Sequence, residues 1–484
     1  MKEYANMVSK KIMCLLLALL TVSLTACTAG DTPETETAGE TIPVETETEE
    51  ETEPPRVYPG EEMDFGGVDF TVATPQWSVY TKYYFAEEET GDVTNDASFA
   101  RQLLVEEALN VTIKSVSFLT LEDAAAAVME TVAAGEDVYQ QSLNHCFVQN
   151  VAMATSNSLY DWNKLPNMYM DEDWWYSDLN EYLSIDGKLF FITNDYMIQN
   201  PYIFYFNKEI IRDNNMEDPY QLVYEGKWTV DKQFEMGEAA IVDLNGDTVF
   251  DDKDQYGYLT SSDMMDNYMF AADLGIVVVG EDGLSLGLNN ERMVSLSEKI
   301  YDYFQIPGAG MINGSLQFAS GQALFANGSV GGIINLRDVD FEFGLLPYPK
   351  FDEAQEKYIS FDWGGMAATP ITITNPEMVG AVNDRLAYES KDTTRQAYFD
   401  VLLSHKLSRD EDSVNILNIV FENVRYDIGM TYLASTNAGF NMLYALPLMI
   451  VHGNSKDFAS YYAKNEKNAL TQLNKIYEEI AKLD

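Results

Sequence analysis

Hydrophobic and polar positions divide the first hundred residues into three regimes. Ile12 to Leu20 is an apolar run behind Lys10 and Lys11, too short before its polar residues to read as a membrane span and flanked as a secretory signal is flanked. Thr28 to Pro55 has almost nothing apolar, a composition that cannot bury enough surface to offset the entropy of ordering it. Near Phe65 the pattern becomes that of a folded chain. Val68, Phe70 and Val72 alternate with polar residues as a strand would, and Pro75 ends it. A helix follows, with Asp96 as its expected cap and Phe99, Leu103, Leu104 and Leu109 on its apolar side; Val111 and Ile113 then alternate again. A β-α-β opening predicts an α/β lobe rather than a sandwich or a bundle. The chain ends in a helix, with Ala469, Leu473, Ile476, Ile480 and Leu483 at core-packing spacing.

Leu24-Thr25-Ala26-Cys27 resembles the bacterial lipobox, in which the cysteine takes a diacylglycerol and the acyl chains, palmitate among them, hold the protein to a membrane. The resemblance implies a lipoprotein signal peptide over 1–26, with Cys27 as the lipidated first residue of the mature chain. Residues 27–64 then read as an acidic tether, kept extended by Pro33, Pro43, Pro54, Pro55 and like-charge repulsion. The location implied is extracellular, on the outer face of the cytoplasmic membrane.

Composition narrows the functional classes. Asp and Glu number 78 against 30 Lys and Arg, a formal charge of −48, so nucleic acid is a poor partner for this surface. Of three cysteines, Cys14 lies in the signal and Cys27 is lipidated, which leaves Cys146 as a small buried hydrophobe without a disulfide framework. His145, His405 and His452 are the only imidazoles, too few to suggest a zinc hydrolase or a histidine-based triad. No Gly-x-Ser-x-Gly elbow, His-Glu-x-x-His pair, Walker loop or dinucleotide fingerprint occurs.

Several stretches together resemble the bacterial extracellular solute-binding lipoproteins of ABC importers, in the carbohydrate branch related to maltose-binding protein. They are Gly187-Lys188-Leu189-Phe190-Phe191 with Tyr205-Phe206-Asn207-Lys208-Glu209, then Phe325-Ala326-Asn327-Gly328, Phe343 to Lys350 and Ser360-Phe361-Asp362-Trp363-Gly364-Gly365, and last Lys406 to Asp410 with Ser413. The resemblance implies a two-lobed, type II periplasmic-binding-protein-like α/β fold with hinge crossovers near 200, 322 and 370 and a ligand cleft between the lobes. The expected division is 65–200 for the first part of lobe 1, 201–322 for the first part of lobe 2, 323–369 for the return to lobe 1 and 370–484 for a mainly helical return to lobe 2. It also implies a monomeric receptor without catalysis that closes on a small solute, a mono- or oligosaccharide for preference, and delivers it to permease subunits.

Sugar rings stack on aromatic planes while their hydroxyls need polar partners. The ligand candidates are therefore Trp77, Trp174, Trp175, Tyr202, Trp228, Asp362 and Trp363, with Asp195, Asn335 and Arg337 added by position in the resemblance; Trp174 and Trp175 cannot both face a cleft if they lie on a strand. A separate motif runs from Asp243 to Asp254, with Asp243, Asn245, Asp247, Asp251 and Asp254 as side-chain ligands and Val249 through its carbonyl. It resembles an EF-hand or dockerin loop and predicts a structural Ca2+, although Thr248 stands where the turn glycine belongs and Asp254 replaces the bidentate glutamate. Two other classes remain open at this point. A lipid-anchored glycoside hydrolase could hide its two carboxylates among 78 acids, and a surface adhesion or scaffold protein would suit the tether.

Overall fold

The computed structural model describes residues 56–76, 81–280, 283–402 and 410–483, and the chain from Tyr58 onward forms one compact unit. Its strands in chain order are β1 (Val68–Pro75), β2 (Val111–Phe118), β3 (Gln141–His145), β4 (Tyr202–Asn207), β5 (Tyr256–Thr260), β6 (Val277–Gly280) and β7 (Gly283–Leu286). They continue with β8 (Gly310–Ile312), β9 (Ala323–Ser329), β10 (Phe343–Leu346), β11 (Ser360–Phe361), β12 (Gly365–Ala368) and β13 (Val424–Arg425).

The first lobe forms around a four-stranded sheet in the order β12-β3-β1-β2, in which β1 pairs parallel with both β2 and β3. The β-α-β opening is present, and Phe70, Val72, Val111 and Ile113 are buried at the alternate positions that a half-buried strand requires. The helix between these strands, Val93–Leu109, begins differently from the expectation. Asp92 caps it, accepting from the Thr94 and Asn95 N–H groups, while the Asp96 side chain takes the Thr90 and Gly91 N–H groups. Its buried face is Thr94, Ser98, Arg101, Gln102, Val105 and Leu109, whereas Leu103 and Leu104 are exposed. Arg101 explains the turn of the helix. Its fully buried guanidinium reaches the Tyr83 and Tyr84 carbonyls and the Thr394 hydroxyl at 2.7–3.0 Å, so a charged residue sits where periodicity expected a leucine.

The second lobe forms around a five-stranded sheet in the order β10-β4-β9-β5-β8. Strands β5, β8 and β9 run parallel, and β4 lies antiparallel between β9 and β10. Phe204, Tyr258, Phe325 and Trp228 form its aromatic core. Strand β9 is a central strand of this sheet, and residues 323–350 therefore belong to the second lobe; the expected crossing near 322 does not occur. The helix Pro376–Ser390 packs against Val93–Leu109 in the first lobe, so residues after 370 do not pass directly to the second either. Glu411–Glu422 does reach the second lobe and packs on β10.

Between the lobes the chain segments run side by side. Pro201 bridges Asp362, and β11 pairs parallel with β13. Asp362 is fully buried at this junction. One carboxylate oxygen accepts from the Asn200 N–H at 3.0 Å and the other from the Tyr426 hydroxyl at 2.5 Å, so a single side chain ties three segments together. Burial pushes its carboxyl up to about 6 from the ordinary 3.8, against the lowering effect of those hydrogen bonds. Asp427 on the third segment is pushed to about 6 by burial as well.

Two predictions follow from this packing. A Cβ at Gly380 would collide with the Pro166 carbonyl oxygen, a backbone atom that cannot swing aside. Gly380→Ala is expected to lower unfolding free energy by about 1–3 kcal/mol in chemical denaturation. Between pH 4 and 6 the folded chain holds a proton on Asp362 that the unfolded chain has lost, so this group makes stability fall as pH rises through that window and stay level above it. Asp362→Asn is expected to flatten the slope, by about 1.4 kcal/mol for each unit of raised pKa, in urea unfolding across pH 4–7.

Candidate functional site

Trp363 lies two residues beyond β11, one past the Pro201–Asp362 bridge, and Asp362 and Trp363 face different neighbours. Trp363 shares a side with Phe361, their rings 5.9 Å apart, while Asp362 faces Tyr426. Around the half-buried Trp363 indole stand Phe147, with edge-on rings at 5.9 Å, His145 at 6.5 Å, Tyr202 at 6.4 Å and Tyr444 at 6.3 Å. Its Nε1 donates to Asn267 Oδ1 at 3.0 Å. His145 and Phe147 come from the end of β3 in the first lobe, Asn267 opens a helix of the second, and Tyr202 begins β4 at the crossing. The cluster therefore joins both lobes at their hinge.

Little ionised chemistry is available there. Burial lowers His145 to about 3 and keeps it neutral, and it raises the Tyr202 phenol to about 12. Burial also lifts the Cys146 thiol well above its usual range, with Asp362 adding to the shift. Cys146 Sγ lies 3.4 Å from His145 Nδ1, but a buried thiol held protonated beside a neutral imidazole is no nucleophile pair. Asp266, one residue before Asn267, is fully buried with neither carboxylate oxygen hydrogen-bonded among the described residues; burial, with Asp263 second, raises its carboxyl well above the ordinary range. What the site offers is an aromatic platform framed by neutral polar groups.

The other ligand candidates fall elsewhere. Trp174 is first-lobe core, edge-on to Tyr388 at 5.1 Å, and Trp175 donates to Asp384 at 2.7 Å and packs on Trp162. Neither adjacent tryptophan joins the Trp363 cluster, because both are spent on the core. Trp228 is fully buried in the second lobe, its Nε1 on the Pro347 carbonyl. Asp195 is buried too, accepting from Tyr176 at 2.6 Å and pairing with Arg395 at 3.3 Å, while burial pushes its carboxyl upward. Asp362 is a hinge tie with both oxygens committed, and Arg337 is an exposed partner of Asp338. Asn335 lies at the edge of a cavity in the second lobe. Trp77, Cys27 and Lys406–Arg409 lie outside the described residues. Of the expected set, Tyr202 and Trp363 come together; Phe147, His145, Asn267 and Tyr444 join them with no sequence spacing to announce it.

In the loop Asp243–Asp254 the side-chain oxygens serve the loop's own backbone. Asp243 accepts from Gly246 and Thr248, Asp247 from Val249, and the fully buried Asp254 from Leu244 and Asp251, while Asp251 pairs with Lys253. Among the described residues no group of three or more His, Cys, Asp or Glu is placed to hold a metal ion. Cavities lie elsewhere among the described residues, two of them defined by their lining. One of about 640 Å³ lies on the Asp362 side of the hinge, bordered by Tyr176, Gln199, Arg395, Arg425 and Tyr426. The other, of about 590 Å³, lies in the second lobe.

Neither a family model nor a curated protein matches the chain. Solved structures do. UgpB from Mycobacterium tuberculosis, in complex with glycerophosphocholine, superposes with a TM-score of 0.58 at 16% identity, over 85% of this chain and 99% of that one. The galacto-N-biose/lacto-N-biose I-binding protein of an ABC transporter from Bifidobacterium longum, in complex with lacto-N-biose, gives 0.58 at 11% identity over 85% and 98%. The cyclic α-maltosyl-1,6-maltose binding protein from Arthrobacter globiformis gives 0.57 at 13% identity over 85% and 99%. The chain has the two-lobed type II fold that these binding proteins share.

Proposed function

We propose that this protein is the solute-binding receptor of an ABC importer, taking a carbohydrate between its lobes and presenting the closed form to a membrane permease. The observation that carries the reading is the convergence of both lobes and the hinge on Trp363, an aromatic face framed by Asn267, Tyr202 and Tyr444. A sugar's C–H face suits such a plane and its hydroxyls suit neutral donors and acceptors. Ligand bound from both lobes favours the closed state, because only that state contacts it twice. The binding proteins that share the fold were solved with sugars or with a glycerophosphodiester, which supports a polar solute. The proposal extends to lipid anchorage through Cys27 at the outer face of the cytoplasmic membrane and to a monomeric state; among the described residues no helix is long and apolar enough to cross a membrane. The loop 243–254 is a proposed calcium site on its residue pattern alone.

In a thermal-shift screen of mono- and oligosaccharides, a cognate sugar is expected to raise the melting temperature and to be recovered unaltered. Trp363→Ala should cost about 2 kcal/mol, roughly 30-fold in affinity, by calorimetry. Recovery of cleaved sugar would instead make the protein a glycosidase. In the same screen millimolar calcium should raise the melting temperature, and Asp243→Ala should remove that rise; no shift on adding calcium or chelator refutes the ion site.

A further inference from the structure

The cavity of about 640 Å³ is walled by both lobes. Tyr176, Asp178 and Tyr182 come from the first lobe, Asp273 and Phe421 from the second, and Gln199 and Tyr426 from the segments that run between them. No residue of the Trp363 cluster lines it. The two places are therefore separate, and they share the hinge through Tyr426, whose hydroxyl donates to Asp362.

Two side chains in this cavity carry polar groups with nothing to hold. Arg395 ends a π-helical turn, Lys391–Arg395, a rare conformation that recurs at functional sites, and it lines the cavity half-buried. Its Nε lies 3.3 Å from the Asp195 carboxylate, but none of its guanidinium N–H groups makes a hydrogen bond among the described residues, so the fork of terminal nitrogens is unengaged. Gln199 is only 6% exposed, and its side-chain amide, which also borders the cavity, has no hydrogen-bond partner among the described residues. A guanidinium fork matches a carboxylate with two parallel hydrogen bonds, and a buried amide without a partner is costly until a ligand supplies one. Arg425, by contrast, is committed to Asp273 at 2.6 Å and to the Tyr182 hydroxyl at 3.2 Å.

The mouth carries the opposite charge. Asp171, Glu172, Asp178 and Glu422 are exposed lining residues that make no ion pair among the described residues, whereas Asp173 is paired with Lys391 and Asp273 with Arg425. With six acidic and three basic residues in the lining, a simple anion would be repelled at the entrance, and a simple cation would leave the Arg395 fork unmatched. A zwitterion answers both, its carboxylate on Arg395 and Gln199 and its ammonium toward the exposed acids. Trp175, Tyr182 and Phe421 supply an aromatic wall for an apolar side chain, and the volume is that of an ordinary small-molecule site.

We propose that this cavity binds a zwitterion of the amino-acid class as an effector, separate from the solute site at Trp363 and coupled to it through the hinge. Because the occupant touches both lobes, its affinity depends on the angle between them, and linkage makes solute and effector change each other's affinity by one factor. The coupling rests on the receptor reading above; the site does not.

The test is calorimetry on the purified protein with glycine, leucine, phenylalanine and glutamate. Any amino acid that binds is compared with its amide, which lacks the carboxylate, and with its N-acetyl form, which lacks the ammonium. Each one-charge analogue should be weaker by about 10-fold or more. Arg395→Lys keeps a cation beside Asp195 and removes the fork; it should keep the unliganded melting temperature and lose about 10-fold or more in amino-acid affinity. Asp178→Asn with Glu422→Gln changes only exposed side chains and should weaken the amino acid by roughly 3-fold while leaving its N-acetyl form unchanged. Trp363→Ala, which removes the solute platform, should still bind the amino acid. Saturating amino acid should change sugar affinity by about 5-fold or more. Equal affinity for the analogues, unchanged affinity in Arg395→Lys, loss of the amino acid in Trp363→Ala, or no binding by any amino acid overturns the site. An amino acid that binds and leaves sugar affinity unchanged overturns the effector role. If the amino acid meets these tests and no sugar binds, the site stands and the receptor reading alone fails.

Discussion

The two lobes depend on one buried carboxylate. Asp362 accepts from the Asn200 N–H on one oxygen and from the Tyr426 hydroxyl on the other, and these three residues belong to three segments that run side by side between the lobes. A carboxylate with no exposure and no cation on it is costly, and its raised pKa reports that cost. The cost is borne where it fixes geometry. With the hinge segments held in register by a side chain on one face, the next residue is fixed on the other, and Trp363 is presented between the lobes.

From that constraint the site takes its character. The residues around Trp363 arrive from both sheets and from the crossing itself, so any relative motion of the lobes must reshape the platform. Burial disfavours the charged forms of the neighbouring His145, Cys146 and Asp266. A site of this kind is suited to holding a neutral, partly apolar, hydroxylated molecule and poorly suited to activating a nucleophile.

Much of the fold was legible along the chain. Alternation at Phe70, Val72, Val111 and Ile113 and the stripe Ala469, Leu473, Ile476 and Ile480 are buried as their periods require. The helix Val93–Leu109 was misread because its inner face carries Arg101, whose partners are carbonyls and a hydroxyl that periodicity does not register. The sheet membership of β9 was misread because an apolar strand reads alike in either lobe; pairing with β4 and β5, a long-range matter, decides it. The same limit applies to the site. Trp363 and Tyr202 lay in recognisable stretches, but Asn267, Phe147 and Tyr444 are brought to them only by the crossing of the chain. The other tryptophans illustrate how often a large aromatic side chain belongs to the core, since Trp174, Trp175 and Trp228 are all buried there.

The central claim is that sugar draws the two lobes together about the Asp362 hinge. It is tested most directly by the distance between a dye at the exposed Leu119 in the first lobe and one at Glu217 in the second, measured by single-molecule energy transfer with and without a bound oligosaccharide. The account predicts two distance populations, with saturating sugar moving molecules to the shorter one and the sugar recovered intact. A bound sugar that leaves the distance distribution unchanged, or one released in pieces, would contradict it.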